Sequence, residues 1–404
     1  MEYGLLGEKL GHSFSPQIHS QLAGYSYELV EKTPQEVEVF LKEREFQGLN
    51  VTIPYKKKVF DCCDQVSELA RRIGSINTIA NRGGWLYGDN TDYYGFRYMI
   101  HRLGVSVAEK KAVVLGNGGV APAVRAALED EGAGEIVTVS RRGENNYNNI
   151  SRHYDAKILV NTTPLGMYPG NGEAAVDLGP FKQCEAVYDL IYNPLKTKLL
   201  LSAEKLGIPC MDGLSMLVAQ AKKSCEIFQQ ISLPEEKVEE ITGCLRRKVS
   251  NVCLIGMPGC GKTTVGERLA ARLGKKFVDI DREIVKRMGK EIPEIFRESG
   301  ETGFRKMESE VLSEVTKQTG QVVATGGGVV VTPKNCELVR QNGEVIFLKR
   351  DLRELTVAGR PVSQSRPLEQ IYEERIDAYR SWSDFQVETR TVETTVREIE
   401  SLLV

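Results

Sequence analysis

Several things are scarce or missing in this chain of 404 residues, and each absence removes a class of function. No run of eighteen apolar residues occurs, so a helix crossing a membrane, which needs about 20, is not expected. Charge nearly cancels, with 53 Lys and Arg against 55 Asp and Glu, which removes any global pull toward nucleic acid or anionic lipid. The nine cysteines are scattered, with no CxxC pair and no Cys/His cluster at zinc spacing. The opening MEYGLLGEKLGHS lacks the charged-then-apolar pattern of a secretory signal. Together these predict a reduced, cytoplasmic protein with no structural metal. Histidine occurs only four times, as His12, His19, His101 and His153, and none is assigned to catalysis. There is no internal repeat and no low-complexity tract.

What is present is material for several cores: 41% of residues are hydrophobic and 27% charged, over a length that suits two to four domains of about 100–200 residues. Short strand-like runs recur, each followed by a segment of helical period: EYGLLG, GLNVTIP, KAVVLGN, EIVTVS, KILVN, EAVYDLI, NVCLIG, KKFVDID, QVVATGG and EVIFLK. That alternation predicts an α/β protein with mostly parallel sheets. The clearest break falls at Gly243–Ser250. Before it, LPEEKVEEITGCLRRK reads as a helix entered at Pro234, acidic early and basic late, as the helix dipole favours. The connection is too short for a floppy linker.

In the second part, GMPGCGKT follows the strand NVCLI and opens a helix, which fits G-x-x-x-x-G-K-[ST] in its proper context. Glycines there turn backbone N–H groups around phosphate oxygens, Lys262 supplies a point charge at the β/γ-phosphates, and Thr263 can ligate Mg²⁺. The ATP-binding set is Gly259, Cys260, Gly261, Lys262, Thr263 and Thr264. Downstream, FVDIDREI places Asp279 and Asp281 on one side of a strand end, one carboxylate for the Mg²⁺ shell and the other for a substrate hydroxyl. ETGFRKMESE puts Arg305 on a helix, ATGGGVV supplies bare backbone, and GRPVSQSRPLEQIYEERIDAYRSW is rich in arginine with prolines that suggest a loop. The set fits a small acceptor bearing hydroxyls and a carboxylate, under an arginine lid.

With those motifs, residues 250–404 resemble shikimate kinase over their whole length, and the resemblance implies a P-loop three-layer α/β domain. It places Asp279 with Thr263 at Mg²⁺, and Asp281, Arg305, Gly327, Gly328 and Arg375 with shikimate, Asp281 orienting or deprotonating the accepting hydroxyl. Two arginines compete for the lid, Arg360 before Pro361 and Arg366 before Pro367. Arg360 is preferred, because its distance from Arg375 is closer to the family spacing, in a lid somewhat shorter than the family's.

In the first part, KAVVLGNGGVAPAVRAALEDEG reads as strand, then Gly116-x-Gly118-x-x-Ala121, then a helix with Pro122 in its first turn. Gly116 permits the tight turn, Gly118 lets backbone approach a pyrophosphate, and the small Ala121 allows close helix packing. The next strand ends in Ser140-Arg141-Arg142, where an NAD-type fold carries an acidic residue for the ribose; an arginine there accommodates a 2′-phosphate and argues for NADP. Hydride transfer to a ketone builds negative charge on oxygen, so the site needs a positioned acid. NVTIPYKKK offers Lys56, Lys57 and Lys58, and GDNTDYYGF offers Asp92 in a polar turn. A carboxylate beside a lysine in a cleft holds the ammonium and tunes its proton transfer.

GHSFSPQIHS, GLNVTIPYK, GSINTI, GDNTD, GNGGVAPAV, VNTTPLGM, YDLIYNP and DGLSMLVAQA, dispersed and in order, make residues 1–243 resemble shikimate dehydrogenase throughout. The resemblance implies a two-lobe unit: a substrate lobe of about 1–100 and 213–243, closed by the DGLSMLVAQ helix folding back, and a Rossmann NADP lobe of about 101–212. It makes Lys56 and Asp92 the catalytic pair. Ser13 and Ser15 go to the substrate carboxylate, Thr52, Asn77, Asp92 and Gln220 to the ring hydroxyls, and Tyr192 stands near the site. Gly116, Gly118, Gly119, Val120, Ala121, Ser140, Arg141, Arg142, Asn161, Thr162 and Gly213 belong to the cofactor crevice, with Arg141 on the 2′-phosphate. Two departures stand out. Ser140 replaces the family's usual asparagine, and Ser140–Asn161 is too short for the further helix and strand expected there. Reduction of 3-dehydroshikimate with NADPH, then MgATP-dependent phosphorylation of shikimate, is the implied function. A quinate-type NAD(P) dehydrogenase fused to the same kinase and a regulatory ligand-binding protein without catalysis are the alternatives. The partners expected are small molecules, with no nucleic acid and no membrane.

Overall fold

The structure, a computed structural model, describes residues 2–11, 13–355 and 366–403. His12 and Arg360 therefore lie outside the described residues. The chain divides into two compact units, the first made of Met1–Met167, Glu173–Tyr192 and Ser202–Cys244, the second of Tyr168–Gly172, Asn193–Leu201 and Leu245–Val404.

The first unit holds two sheets. One contains β1 (Tyr3–Gly7), β2 (Tyr27–Glu31), β3 (Gly48–Val51), β4 (Gln65–Val66), β5 (Thr78–Arg82) and β6 (Trp85–Asp89) in the order β2-β1-β3-β5-β6-β4. β5 runs antiparallel to β3 and β6, and the other pairings are parallel. The helix Leu214–Gln229 returns to this lobe from far along the chain. Its approach depends on two missing side chains: a Cβ on Gly95 would lie 2.8 Å from the Met216 carbonyl oxygen, and one on Gly48 would lie 2.5 Å from the Phe228 ring.

The second sheet is wholly parallel: β7 (Lys111–Leu115), β8 (Glu135–Val139), β9 (Ile158–Asn161), β10 (Ala186–Asp189) and β11 (Cys210–Met211), in the order β11-β10-β9-β7-β8. Strand order reverses at β7, so a crevice opens at the carboxyl ends of β7 and β9, where such folds bind ligands. Between β8 and β9 there is only the 3-10 turn Ile150–His153. Asparagines take the place of a helix here. Asn149 Oδ1 accepts from Asn146 N at 2.8 Å, its Nδ2 donates to Glu144 O at 2.8 Å, and Asn145 Oδ1 lies 3.0 Å from His153 Nε2.

The second unit is built on β12 (Asn251–Ile255), β13 (Lys276–Asp279), β14 (Gln321–Ala324), β15 (Gly343–Lys349) and β16 (Phe385–Glu388), all parallel, in the order β13-β14-β12-β15-β16. Cys253, Leu254, Val323, Ile346 and Phe347 are buried at its centre, as the unbroken apolar runs of a doubly covered sheet require.

The helix read over LPEEKVEEITGCLRRK forms as Glu236–Val249, running through the break at Gly243–Ser250, and β12 starts two residues later. One local expectation changes. The arginine-rich segment is helical over Leu368–Trp382; its prolines stop at Pro367, the residue that caps the helix, so nothing interrupts the turns that follow.

Candidate active sites

In the first unit a cavity of about 280 Å³ lies between the lobes, lined by Ser13, Ser15, Asn50, Thr52, Lys56, Asn77 and Asp92, by Val120, Leu190, Tyr192 and Gly213, and by Met216, Leu217 and Gln220 of the returning helix. Every substrate residue expected for the first part is among them. Asn50, Leu190, Met216 and Leu217 were not expected. Asn50 was findable, since it sits two residues before Thr52 on a strand and so faces the same side.

Of the three lysines, one faces the cavity. Lys58 pairs with Glu38 at 3.0 Å and donates to Pro34 O, and Lys57 is exposed. Lys56 Nζ lies 2.5 Å from Asp92 Oδ2, with the side chains only 16% and 10% exposed. Asp92 Oδ1 accepts from Asn77 Nδ2 at 2.9 Å. Asp92 is not in a turn, as its polar neighbours suggested, but opens the helix Asp92–Leu103, where the helix dipole favours a carboxylate. Tyr55, buried beside Lys56, donates its hydroxyl to Lys32 O and anchors the loop.

On the other wall, Gly116 has φ +103°, and a Cβ there would lie 2.8 Å from Thr162 Oγ1. Thr162 in turn donates to Leu115 O at 2.8 Å, and buried Asn161 is fully engaged with Asp189 and Thr163. These two side chains shape the crevice floor from within the protein. Gly118 and Gly119 face open space, with no atom within 4 Å of a Cβ. Arg141 and Arg142 are exposed, and neither makes an ion pair among the described residues. Bare backbone at a helix start, next to two unengaged guanidiniums, fits a dinucleotide with a 2′-phosphate.

The second site surrounds the loop between β12 and the helix Lys262–Leu273. Gly256, Gly259 and Gly261 have φ of +146°, +82° and +99°, and Lys262 Nζ donates to Gly256 O and Met257 O at 2.9 and 3.0 Å. Thr263 Oγ1 donates to Asp279 Oδ2 at 2.7 Å. A hydroxyl beside a carboxylate at a phosphate-binding loop is a donor set that suits Mg²⁺. The two aspartates do not share one side of a strand. β13 ends at Asp279, which caps the helix Ile280–Met288, and Asp281 sits in that helix's first turn. Burial, reinforced by Glu308 and Asp279, pushes the Asp281 carboxyl up to about 6.

Gly326–Gly328 are glycines because other groups press on them. A Cβ on Gly326 would lie 2.5 Å from Glu308 Oε1 and 2.9 Å from Asp281 Oδ1; on Gly327, 2.5 Å from Pro258; on Gly328, 2.0 Å from Arg305 Nη2. Arg375, buried on the helix Leu368–Trp382, donates to Gly327 O at 2.9 Å, and Tyr379 bonds the same carbonyl. Arg305 Nη1 donates to Glu308 Oε2 at 2.8 Å. Glu308 and Tyr379 were missed: an Arg and Glu three apart on a helix read as a surface pair, yet Glu308 is 0% exposed. Its carboxyl is raised by burial in spite of Arg305. Arg366, the alternative lid residue, is paired with Glu374.

With both sites in view, the comparisons with known proteins fall into place. The chain is 40% identical over 260 residues to the NADP(+) shikimate dehydrogenase of Clostridium perfringens (strain 13 / Type A), covering 59% of this chain and 96% of that protein. The chain belongs to the shikimate dehydrogenase family. Residues 5–79 match the model of the shikimate dehydrogenase substrate binding domain, and residues 258–403 match that of shikimate kinase. A solved chorismate mutase/shikimate 5-dehydrogenase fusion protein from Clostridium acetobutylicum is 38% identical with a TM-score of 0.59, covering 61% of this chain and 97% of that one. The Thermus thermophilus shikimate 5-dehydrogenase in complex with NADP(H) and shikimate is 29% identical with a TM-score of 0.56, covering 60% and 98%. The chain is thus an oxidoreductase of that family joined to a shikimate kinase domain with a P-loop fold, an enzyme with two activities.

Proposed function

We propose that the first unit reduces 3-dehydroshikimate with NADPH to shikimate, and that the second transfers the γ-phosphoryl group of MgATP to shikimate, giving shikimate 3-phosphate. The observation that carries this reading is the Lys56–Asp92–Asn77 cluster on the wall of a cavity that Val120 and Gly213, at the cofactor side, also line. Bound NADPH supplies hydride to the carbonyl carbon. As the oxygen gains charge, the Lys56 ammonium gives it a proton, and Asp92 holds that ammonium in place. Ser13 and Ser15 take the substrate carboxylate; Thr52, Asn77 and Gln220 take hydroxyls; Arg141 takes the 2′-phosphate.

In the second unit Lys262 would neutralise charge on the β/γ-phosphates, and Thr263 and Asp279 would hold Mg²⁺. Arg305 and Arg375 would receive the substrate carboxylate, and Asp281 would accept the proton of the attacking hydroxyl. An end-point assay supplying 3-dehydroshikimate, NADPH and MgATP tests the reading. Shikimate and its phosphate should both form, the phosphate only when ATP is present. Quinate oxidation with NAD outpacing shikimate oxidation with NADP would favour a quinate-type first unit.

A further inference from the structure

Behind the cavity of the first unit lies a buried polar cluster that the reading so far leaves unused. Asn50 on β3, Thr78 on β5, Thr91 at the entry to the helix Asp92–Leu103 and Ser224 on the returning helix meet there. The last three are completely buried and Asn50 is 5% exposed. Ser224 Oγ is the hub: 2.7 Å from Asn50 Nδ2, 2.9 Å from Thr78 Oγ1, 3.1 Å from Thr91 Oγ1 and 2.9 Å from the Gln220 carbonyl oxygen.

Counting protons limits how this cluster can be wired. A carbonyl only accepts, so the single Ser224 proton goes to Gln220 O, and the hydroxyl oxygen accepts from Asn50 and from one threonine. Asn50 Oδ1 accepts from the Tyr27 hydroxyl at 2.7 Å, so the Asn50 amide cannot turn over without breaking both bonds. Asn77 Oδ1 accepts from Thr91 N at 2.6 Å and lies 3.1 Å from Thr78 Oγ1 and 3.2 Å from Thr91 Oγ1, while Thr91 Oγ1 also reaches Gln220 Oε1 at 3.4 Å and Thr78 Oγ1 at 3.1 Å. Asn77 thereby points Nδ2 at Asp92.

We propose that Ser224 is a positioning residue of the dehydrogenase site. As the acceptor that sets the proton order of the cluster, it fixes the Asn50 amide at the cavity wall and steadies the Asn77 amide on Asp92, so that a polyhydroxylated keto acid meets donors already aimed. A serine bonded back to the carbonyl one turn earlier needs no further partner to be stable in a helix, whereas here the oxygen also accepts from Asn50 and from a threonine, both on other elements. The proposal rests on the reading of the cavity as the site of ketone reduction, which Lys56→Ala tests by itself.

The experiment is steady-state kinetics on the full chain carrying Ser224→Ala. The KM for 3-dehydroshikimate should rise about tenfold, the factor that corresponds to one lost hydrogen bond, with the KM for NADPH and kinase turnover unchanged. Because Ser224 acts through Asn50 as well as Asn77, the double variant with Asn50→Ala should raise the KM by clearly less than the product of the two single effects. If Ser224→Ala is insoluble, Ser224→Cys keeps the volume with a weak acceptor and should raise the same KM. An unchanged KM in either Ser224 variant, a loss confined to thermal stability, or effects of Ser224→Ala and Asn50→Ala that multiply would each overturn the proposal. Were Lys56→Ala inactive in reduction while Ser224→Ala kept its KM, this inference alone would fall. A Lys56→Ala that still reduces substrate would sink the reading beneath it.

Discussion

The two sites handle charge in opposite ways. In the first, Lys56, Asp92 and Asn77 satisfy one another in a sequence of short bonds, and the lysine's opposite charge is already in contact. In the second, two carboxylates, the half-buried Asp281 and the fully buried Glu308, face the same glycine, and desolvation raises both. Arg305 Nε, Arg375 Nε and Glu308 Oε1 are buried with no hydrogen-bond partner among the described residues. An unmade bond at a buried polar atom costs about 1–3 kcal/mol, so these atoms of the kinase site would gain from a ligand that pairs with them. A site that hands a proton back and forth is best held in one paired arrangement. A site proposed to gather an anionic substrate and a triphosphate keeps the two guanidinium donors in reserve.

The sharpest break of this comparison is a double dissociation. Lys56→Ala should lower NADPH oxidation by about 10²–10⁴-fold, as for a lost general acid, and leave phosphoryl transfer untouched. Lys262→Ala should do the reverse, and coupled assays of each reaction in both variants read the outcome. Next in size, Arg141→Ala should raise the KM for NADPH by roughly 10- to 150-fold, the equivalent of about 1.5–3 kcal/mol for a charge-assisted bond. NADH, lacking the 2′-phosphate, should be unaffected; an equal loss with both cofactors would pass the role to Arg142.

The cost of a charged Asp281 is testable through pH. The folded-state Asp281 carboxyl is raised to about 6, so its contribution to stability is fully present below the ordinary carboxylate pKa, about 4. That contribution is lost as pH rises through 6. Asp281→Asn should therefore raise the Tm of the second unit at pH 8 by about 2–4 °C for each kcal/mol relieved, and leave it unchanged at pH 4. A Tm gain of the same size at both pH values would show that charge is not the cause. The smallest effect belongs to the first unit's trimmed edge. Asn149→Ala removes two loop bonds and should cost about 1 kcal/mol, a few degrees in a thermal melt, without changing hydride transfer.

Much of this was legible because apolar runs and chemistry coincide. Each strand-like run read from the sequence is a strand in the fold. The strands that escaped notice had reason to. β2 is YELVE, with no buried residue, and β11 has two residues. The TIANRGGWLYGD hairpin offered its Gly83-Gly84 turn as a signal that went unused. Asp92 was misplaced because a helix cap and a polar turn share the same residues, and the Asp279–Asp281 geometry because a strand can end on the residue that caps the next helix. The lobe closure that brings Gln220 and Ser224 under β3 and β5 involves contacts more than a hundred residues apart, which no local pattern encodes.

The packing of Gly326–Gly328 has a consequence at the level of the gene. A glycine codon leads, by any base change in its first two positions, to a residue with at least one more carbon or to termination. At these three positions that first carbon would collide with a buried carboxylate, a proline ring or a guanidinium. Coding changes in the triplet should therefore displace groups of the proposed kinase site, and a library of random variants selected for kinase activity should return it depleted of substitutions.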